Sequence, residues 1–130
     1  MTAPEPTWIR EDVVRAIHGR QIAEHGGRAG LRDAGALASA LARPRNLFRY
    51  ADPAPDLAAL AAAYGVGIAR NHPFVDGNKR VALVLVRVFL RLNGQELIAP
   101  PVEKYERMVA LAAGETTEEQ LADWIRNRLV

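Results

Sequence analysis

His72-Pro73-Phe74-Val75-Asp76-Gly77-Asn78-Lys79-Arg80 runs directly into Val81-Ala82-Leu83-Val84-Leu85-Val86-Arg87-Val88-Phe89-Leu90-Arg91-Leu92, and the join between them decides how the chain is read. The second segment is too short, and too interrupted by Arg87 and Arg91, to span a bilayer, yet it is apolar over most of its circumference. That pattern predicts a central, buried helix. Arg80, Val84, Arg87 and Arg91 fall at i, i+4, i+7 and i+11, so the one polar stripe of this helix begins with an arginine of the preceding turn.

A helix start carries unpaired backbone N–H groups and the positive end of the helix dipole, and Gly77 lets the turn bring those groups close to an anion. The loop is therefore suited to phosphate. Lys79 and Arg80 add two full positive charges beside the partial one, and Asp76 offers an oxygen ligand that suits a magnesium ion. His72 lies four residues before Asp76, and histidine is the side chain whose ordinary titration range suits proton abstraction near neutral pH. Each residue has a plainer reading as well: Asp76 as a helix cap, Pro73 and Gly77 as turn formers, His72 as structural. Phe74 is assigned to the core as an apolar peg. The coincidence of base, acid, glycine, amide and two cations in nine residues favours chemistry. Lys79 stands out further because the chain uses arginine fifteen times and lysine only twice, at 79 and 104.

At 130 residues and with no cysteine, the chain is expected to form a single domain over residues 1–130 with one core and no disulfides. Residues 1–7 are polar and proline-bearing, lack an apolar signal core, and are read as a loose arm of a cytoplasmic protein. A net charge of +2 and the lack of a long basic run or aromatic–basic interleaving give no nucleic-acid groove, and no segment suits a membrane.

The first helix is predicted from Glu11 to His25, burying Val13, Val14, Ile17 and Ile22 and stopped by Gly26-Gly27. His18 and His25 are read as surface or interface residues. Asp33 caps a second helix to about Ala42, closed by Pro44. Arg43 to Pro55 is expected to be the longest irregular connection. A third, alanine-rich helix runs from Asp56 to about Arg70, with Gly65 and Gly67 permitting close packing. Asn93-Gly94 ends the fourth, and Gln95 to Ala99 is extended. The fifth spans Pro101 to Ala113, with Tyr105, Met108, Val109 and Leu111 partly buried. Thr117 and Gln120 suggest a capping box for a sixth, which carries Leu121, Trp124, Ile125 and Leu129. The fold class is all-α, a compact bundle of about six helices around a central apolar one.

The motif H-x-F-x-D-G-N-K-R resembles the signature of the death-on-curing (Doc) branch of the Fic superfamily, compact all-helical nucleotide-dependent transferases. Gly26-Gly27, Gly30 to Gly35, Ala40 to Pro44 and Asn93-Gly94 also sit where such toxins place similar stretches. Adenylyl-transferring Fic enzymes read H-x-F-x-D/E-G-N-G-R-x-x-R, whereas here Lys79 replaces the second glycine and Leu83 the final arginine. The resemblance implies that ATP lies reversed and delivers its γ-phosphate, so that the enzyme is a protein kinase. His72 would deprotonate a serine or threonine hydroxyl, Asp76 would hold Mg2+, Gly77 and Asn78 would donate to the phosphates, and Lys79 and Arg80 would neutralise developing charge.

The resemblance further implies a toxin of a type II toxin–antitoxin pair, acting on a host protein such as translation elongation factor Tu and inhibited in trans by a cognate antitoxin. It also implies that the segment from Arg43 forms a flap holding the target in extended form, its arginines orienting phosphates; a solvated loop is the other reading. Adenylyl transfer by the same site and a non-catalytic binding module are the alternatives. The inhibitory pattern [ST]-x-x-x-E-[GN] of many Fic enzymes is matched only imperfectly by Thr7 to Asp12, where Glu11 also suits the first turn of a helix.

Overall fold

In the computed structural model, which describes residues 4–130, the chain folds into six helices. They are α1 (Glu11–His25), α2 (Ala34–Tyr50), α3 (Leu57–Asn71), α4 (Asn78–Leu92), α5 (Pro101–Ala112) and α6 (Glu118–Arg126). The described residues contain no strand, only isolated antiparallel bridges at Leu31 with Phe74 and Leu97 with Leu129. No described helix is long and apolar enough to cross a membrane.

The central helix of the bundle is α3, which packs against α2, α4, α5 and α6. Eleven of its fifteen residues are buried, whereas α4 turns the stripe of Arg80, Arg87 and Arg91 to solvent. The expectation that Val81 to Leu92 would be central is corrected to this extent: α4 is buried along one side, through Val81, Ala82, Leu85, Val86, Phe89 and Leu90. An alanine-rich helix can be enclosed on all sides because its neighbours approach its backbone closely. A Cβ added at Gly67 would lie 2.9 Å from the Cβ of Ala40, so α2 and α3 touch there almost backbone to backbone. Gly65 admits Val86 and Leu121 in the same way.

Caps supply the helix starts. Asp33 accepts the Ala36 N–H at 3.0 Å, Asp56 accepts the Ala59 N–H at 2.9 Å, and Thr117 with Gln120 forms the expected reciprocal box. Asp56 is also gripped by the Arg126 guanidinium at 2.6 and 3.0 Å, tying the start of α3 to the end of α6.

Several expectations are corrected. Pro44 does not close α2, which continues to Tyr50 with Pro44 buried inside it. The interior proline costs about 3 kcal/mol, but continuing the helix brings Leu47 and Phe48 onto the core, each contributing up to about 1.5–3 kcal/mol. The irregular connection from Arg43 therefore shrinks to Ala51–Asp56. Val13 is 39% exposed, while Val14, four residues before the buried His18, is fully covered. On α5, Met108 and Leu111 are buried, but Tyr105 and Val109 are open. Leu129 lies beyond α6, where Glu96 and Val130 exchange backbone hydrogen bonds at 3.1 and 3.0 Å. Of the N-terminal arm, Met1–Ala3 lie outside the described residues, and the Thr7 backbone is bonded in both directions by the Asn93 amide at 2.8 and 3.0 Å.

Candidate active site

The turn from α3 to α4 begins at a residue in a costly conformation. His72 ends α3 with φ 48° and ψ 58°, the left-handed region that costs a non-glycine residue about 1–2 kcal/mol. Arg32, from the loop before α2, offsets that cost by donating from Nε to the His72 carbonyl at 2.5 Å and from Nη2 to the Asn71 carbonyl at 2.7 Å. The Pro73 carbonyl accepts from the backbone N–H groups of Arg32 and Asp33, at 2.8 and 3.0 Å, and Val75 donates to the Gly30 carbonyl at 3.0 Å. The exposed His72 side chain is thus carried on a backbone anchored at successive residues.

Phe74 is the expected core peg, only 2% exposed. Its N–H and C=O are both held by the side chain of Asn78, at 3.0 and 2.9 Å. Asn78 is buried, so its amide is committed to the turn. These two bonds use the amide oxygen and one of the two amide N–H groups.

Asp76 is exposed, and its two carboxylate oxygens accept from the Gly77 N–H at 2.9 Å and the Arg28 N–H at 3.1 Å. The Arg28 backbone bond, then that of Gly77, holds its carboxyl below the usual range. It therefore stays ionised, with lone pairs left for a cation. Gly27 presses against it, and a Cβ there would fall 2.8 Å from Oδ2.

Gly77 is the N-cap of α4 at φ 79°, and no described side chain caps this helix. The N–H groups of Asn78, Lys79 and Arg80 consequently have no partner within the helix. Lys79 is half-buried beside them, and the exposed Arg80 guanidinium lies 5.7 Å from the centre of the Tyr105 ring. Free N–H groups at a helix start with a lysine and an arginine in its first turn have the chemistry to take an anion. The described residues hold no group of three or more histidine or acidic side chains placed for a metal. A single ionised carboxylate such as Asp76 is compatible with Mg2+, which takes one or two carboxylates and completes its shell with oxygens of a bound phosphate and water.

The arginines expected to orient phosphates are otherwise engaged. Arg43 pairs with Glu118, Arg45 lies over Trp8 at 5.8 Å, and Arg49 over Tyr50 at 6.0 Å. Arg43, Asn46 and Tyr50 do line a groove of about 620 Å³ between α2 and the start of α6, which reaches Asn71 beside His72.

The predicted site residues are contiguous, and the structure keeps them on one turn. The residues that residue-by-residue reading missed come from elsewhere: Arg32, Gly27, Arg28 and His18. His18, read as a surface or interface residue, is only 5% exposed and stacks on Phe74 at 4.0 Å. Its position four residues after Val14 and four before Ile22 placed it on the buried stripe.

The Fic/DOC family model matches residues 8–90, which takes in every residue of this site. The chain is 35% identical over 118 residues to Protein kinase doc of Escherichia phage P1, covering 91% of this chain and 92% of that protein. It is 44% identical over 90 residues to Toxin Doc of Mycolicibacterium smegmatis, covering 69% of this chain and 66% of that protein. With the all-helical fold and the turn geometry in hand, the chain belongs to the Fic/DOC family.

Proposed function

We propose that the protein is an ATP-dependent serine/threonine kinase acting as the toxin of a toxin–antitoxin pair in the cytoplasm, with elongation factor Tu as its target. The observation that carries this reading is the placement of an exposed His72 and an ionised Asp76 beside an uncapped helix start bearing Lys79. The relative named Protein kinase doc supports it, and Toxin Doc supports the toxin role.

In this mechanism the His72 imidazole takes the proton of the substrate hydroxyl. The oxygen so freed attacks the γ-phosphorus of ATP, the bond from phosphorus to the bridging oxygen breaks, and ADP leaves with the electron pair. The N–H groups at the start of α4, with Lys79 and Arg80, meet the charge spread over the phosphate oxygens. Mg2+, when bound, would supply further neutralisation of phosphate charge, and Asp76 is the residue that would hold it. His72 keeps its place without substrate because Arg32 and the Ile68 carbonyl fix its backbone.

Adenylyl transfer would use the same base and the same turn. Incubating the protein and elongation factor Tu with ATP labelled at the α or the γ position separates the two: label from the γ position alone is expected, and label from the α position overturns the kinase reading. His72→Ala should abolish both transfer and growth inhibition on expression. Growth inhibition that survives that change would favour a binding module.

Inhibition in trans by a cognate antitoxin fits the position of Glu11. That residue pairs with Arg15 at 3.1 Å in the first turn of α1, while contact with the Asp76 turn comes from His18 and the residues after the other end of the helix. Glu11→Gly should therefore leave the activity of the isolated chain unchanged, and a large increase would mean self-inhibition.

A further inference from the structure

One buried polar side chain has no part in the chemistry above. His18 reaches the turn from the middle of α1, 58 residues away in sequence, and its Nε2 lies 2.9 Å from the Asp76 carbonyl oxygen. A carbonyl can only accept, so Nε2 is the protonated nitrogen. The ring lies nearly parallel to Phe74, with an interplanar angle of 8°. Its Cδ2 would be 3.9 Å from a Cβ at Gly77, so the imidazole underlies the turn from Phe74 to the N-cap of α4.

We propose that His18 is a positioning residue for the transfer reaction, fixing the Asp76 peptide so that the Asp76 carboxylate and the first N–H groups of α4 face the same phosphate. The inference rests on the kinase reading of the site. The Asp76 carboxylate is held from outside by the Arg28 N–H, and its carbonyl is held from inside by His18. These two restraints act on opposite ends of one residue, which removes rotation of the peptide between Asp76 and Gly77. An apolar side chain of equal size would fill the space under Phe74 yet leave the Asp76 carbonyl without its buried donor. A packing role needs only the ring, and a positioning role needs the N–H.

Two substitutions separate these roles. His18→Phe keeps a flat ring against Phe74 and removes the donor, whereas His18→Gln keeps a donor near the Nε2 position and removes the ring. For the full chain, binding of the non-hydrolysable β,γ-imido analogue of ATP is measured by calorimetry across a magnesium titration, alongside kcat and KM for transfer to elongation factor Tu. The Phe variant should raise the magnesium concentration needed for analogue binding, and lower kcat, by at least about tenfold with KM for the protein substrate little changed. The Gln variant should recover most of both. Equal loss in the two variants, or a Phe variant within about twofold of the parent, overturns the proposal.

The tautomer is read independently on the unmodified protein by long-range 1H–15N correlation. A proton on Nε2 is expected, and one on Nδ1 alone overturns the proposal even if neither variant folds. Should the unmodified protein bind the analogue but transfer no γ-phosphate, the kinase reading fails while the binding and tautomer measurements still decide the role of His18.

Discussion

Arg32→Ala should disable the enzyme without touching any group that meets ATP. In the parent, the left-handed backbone at His72 costs about 1–2 kcal/mol, and the two Arg32 bonds to the Asn71 and His72 carbonyls oppose it. Hydrogen bonds from a charged donor contribute about 1.5–3 kcal/mol each when shielded. Arg32 is exposed, so the lower end applies, and the pair together is worth roughly 2–3 kcal/mol. Removing it reverses the balance, and the turn is then free to place His72 in commoner backbone conformations. A shift of 2 kcal/mol leaves the productive arrangement populated about thirtyfold less. Steady-state transfer of γ-labelled phosphate should show kcat reduced about ten- to a hundredfold, with KM for ATP within about threefold because Asn78 still braces the start of α4. Arg32→Lys should restore little, since one ammonium cannot reproduce the planar fork that reaches both carbonyls. A kcat within twofold of the parent would refute the dependence of His72 on Arg32.

Lys79→Ala should weaken ATP use about tenfold to a hundredfold, the loss of a charge-assisted phosphate contact, whereas Lys104→Ala on α5 should leave transfer kinetics near the parent; equal kinetics for the two variants would remove Lys79 from the mechanism. Gly67→Ala forces a Cβ to within 2.9 to 3.1 Å of the Cβ, Cα and carbonyl oxygen of Ala40, and should cost about 1–3 kcal/mol, read as a lower melting temperature. The bond from Arg126 depresses the Asp56 carboxyl, so its stabilisation is complete above the ordinary carboxylate range and is lost as pH falls through the lower folded value. The melting-temperature advantage of the parent over Asp56→Asn should accordingly be constant near pH 6 and shrink below about pH 4. An advantage that grows on acidification would contradict that sign.

Local signals were legible wherever one short stretch of chain determined the outcome. Asp33, Thr117 with Gln120, and the small residues at 65 and 67 act within a turn or at a single contact, and the structure uses them as their chemistry suggests. The candidate site was legible for a similar reason, since His72 to Arg80 are contiguous. Pro44 misled because its local cost competes with the burial of Leu47 and Phe48, a gain visible only once α2 meets the core. The inward turn of the Asn78 amide was equally hidden, because a first-turn residue can face the loop or the solvent and packing decides which. Arg32 and His18 reach the turn across 40 and 58 residues of sequence, so only the folded chain reveals them as partners. For His18 its spacing from Val14 and Ile22 carries the signal of burial, which its polar residue type masks.

The alanine and glycine surface of α3 has a bearing on the thermal behaviour of His72, which caps its end. Methyl groups and bare Cα atoms have no rotamers, so the approach of α2 to α3 at Ala40 and Gly67 is made with almost no loss of side-chain conformational entropy. It also cannot loosen by rotamer hopping as the temperature rises, which is how contacts between longer side chains soften. Displacement of His72 along this contact therefore requires α3 to slide as a rigid body against α2, and heating should blunt the site in one cooperative step rather than by gradual local softening.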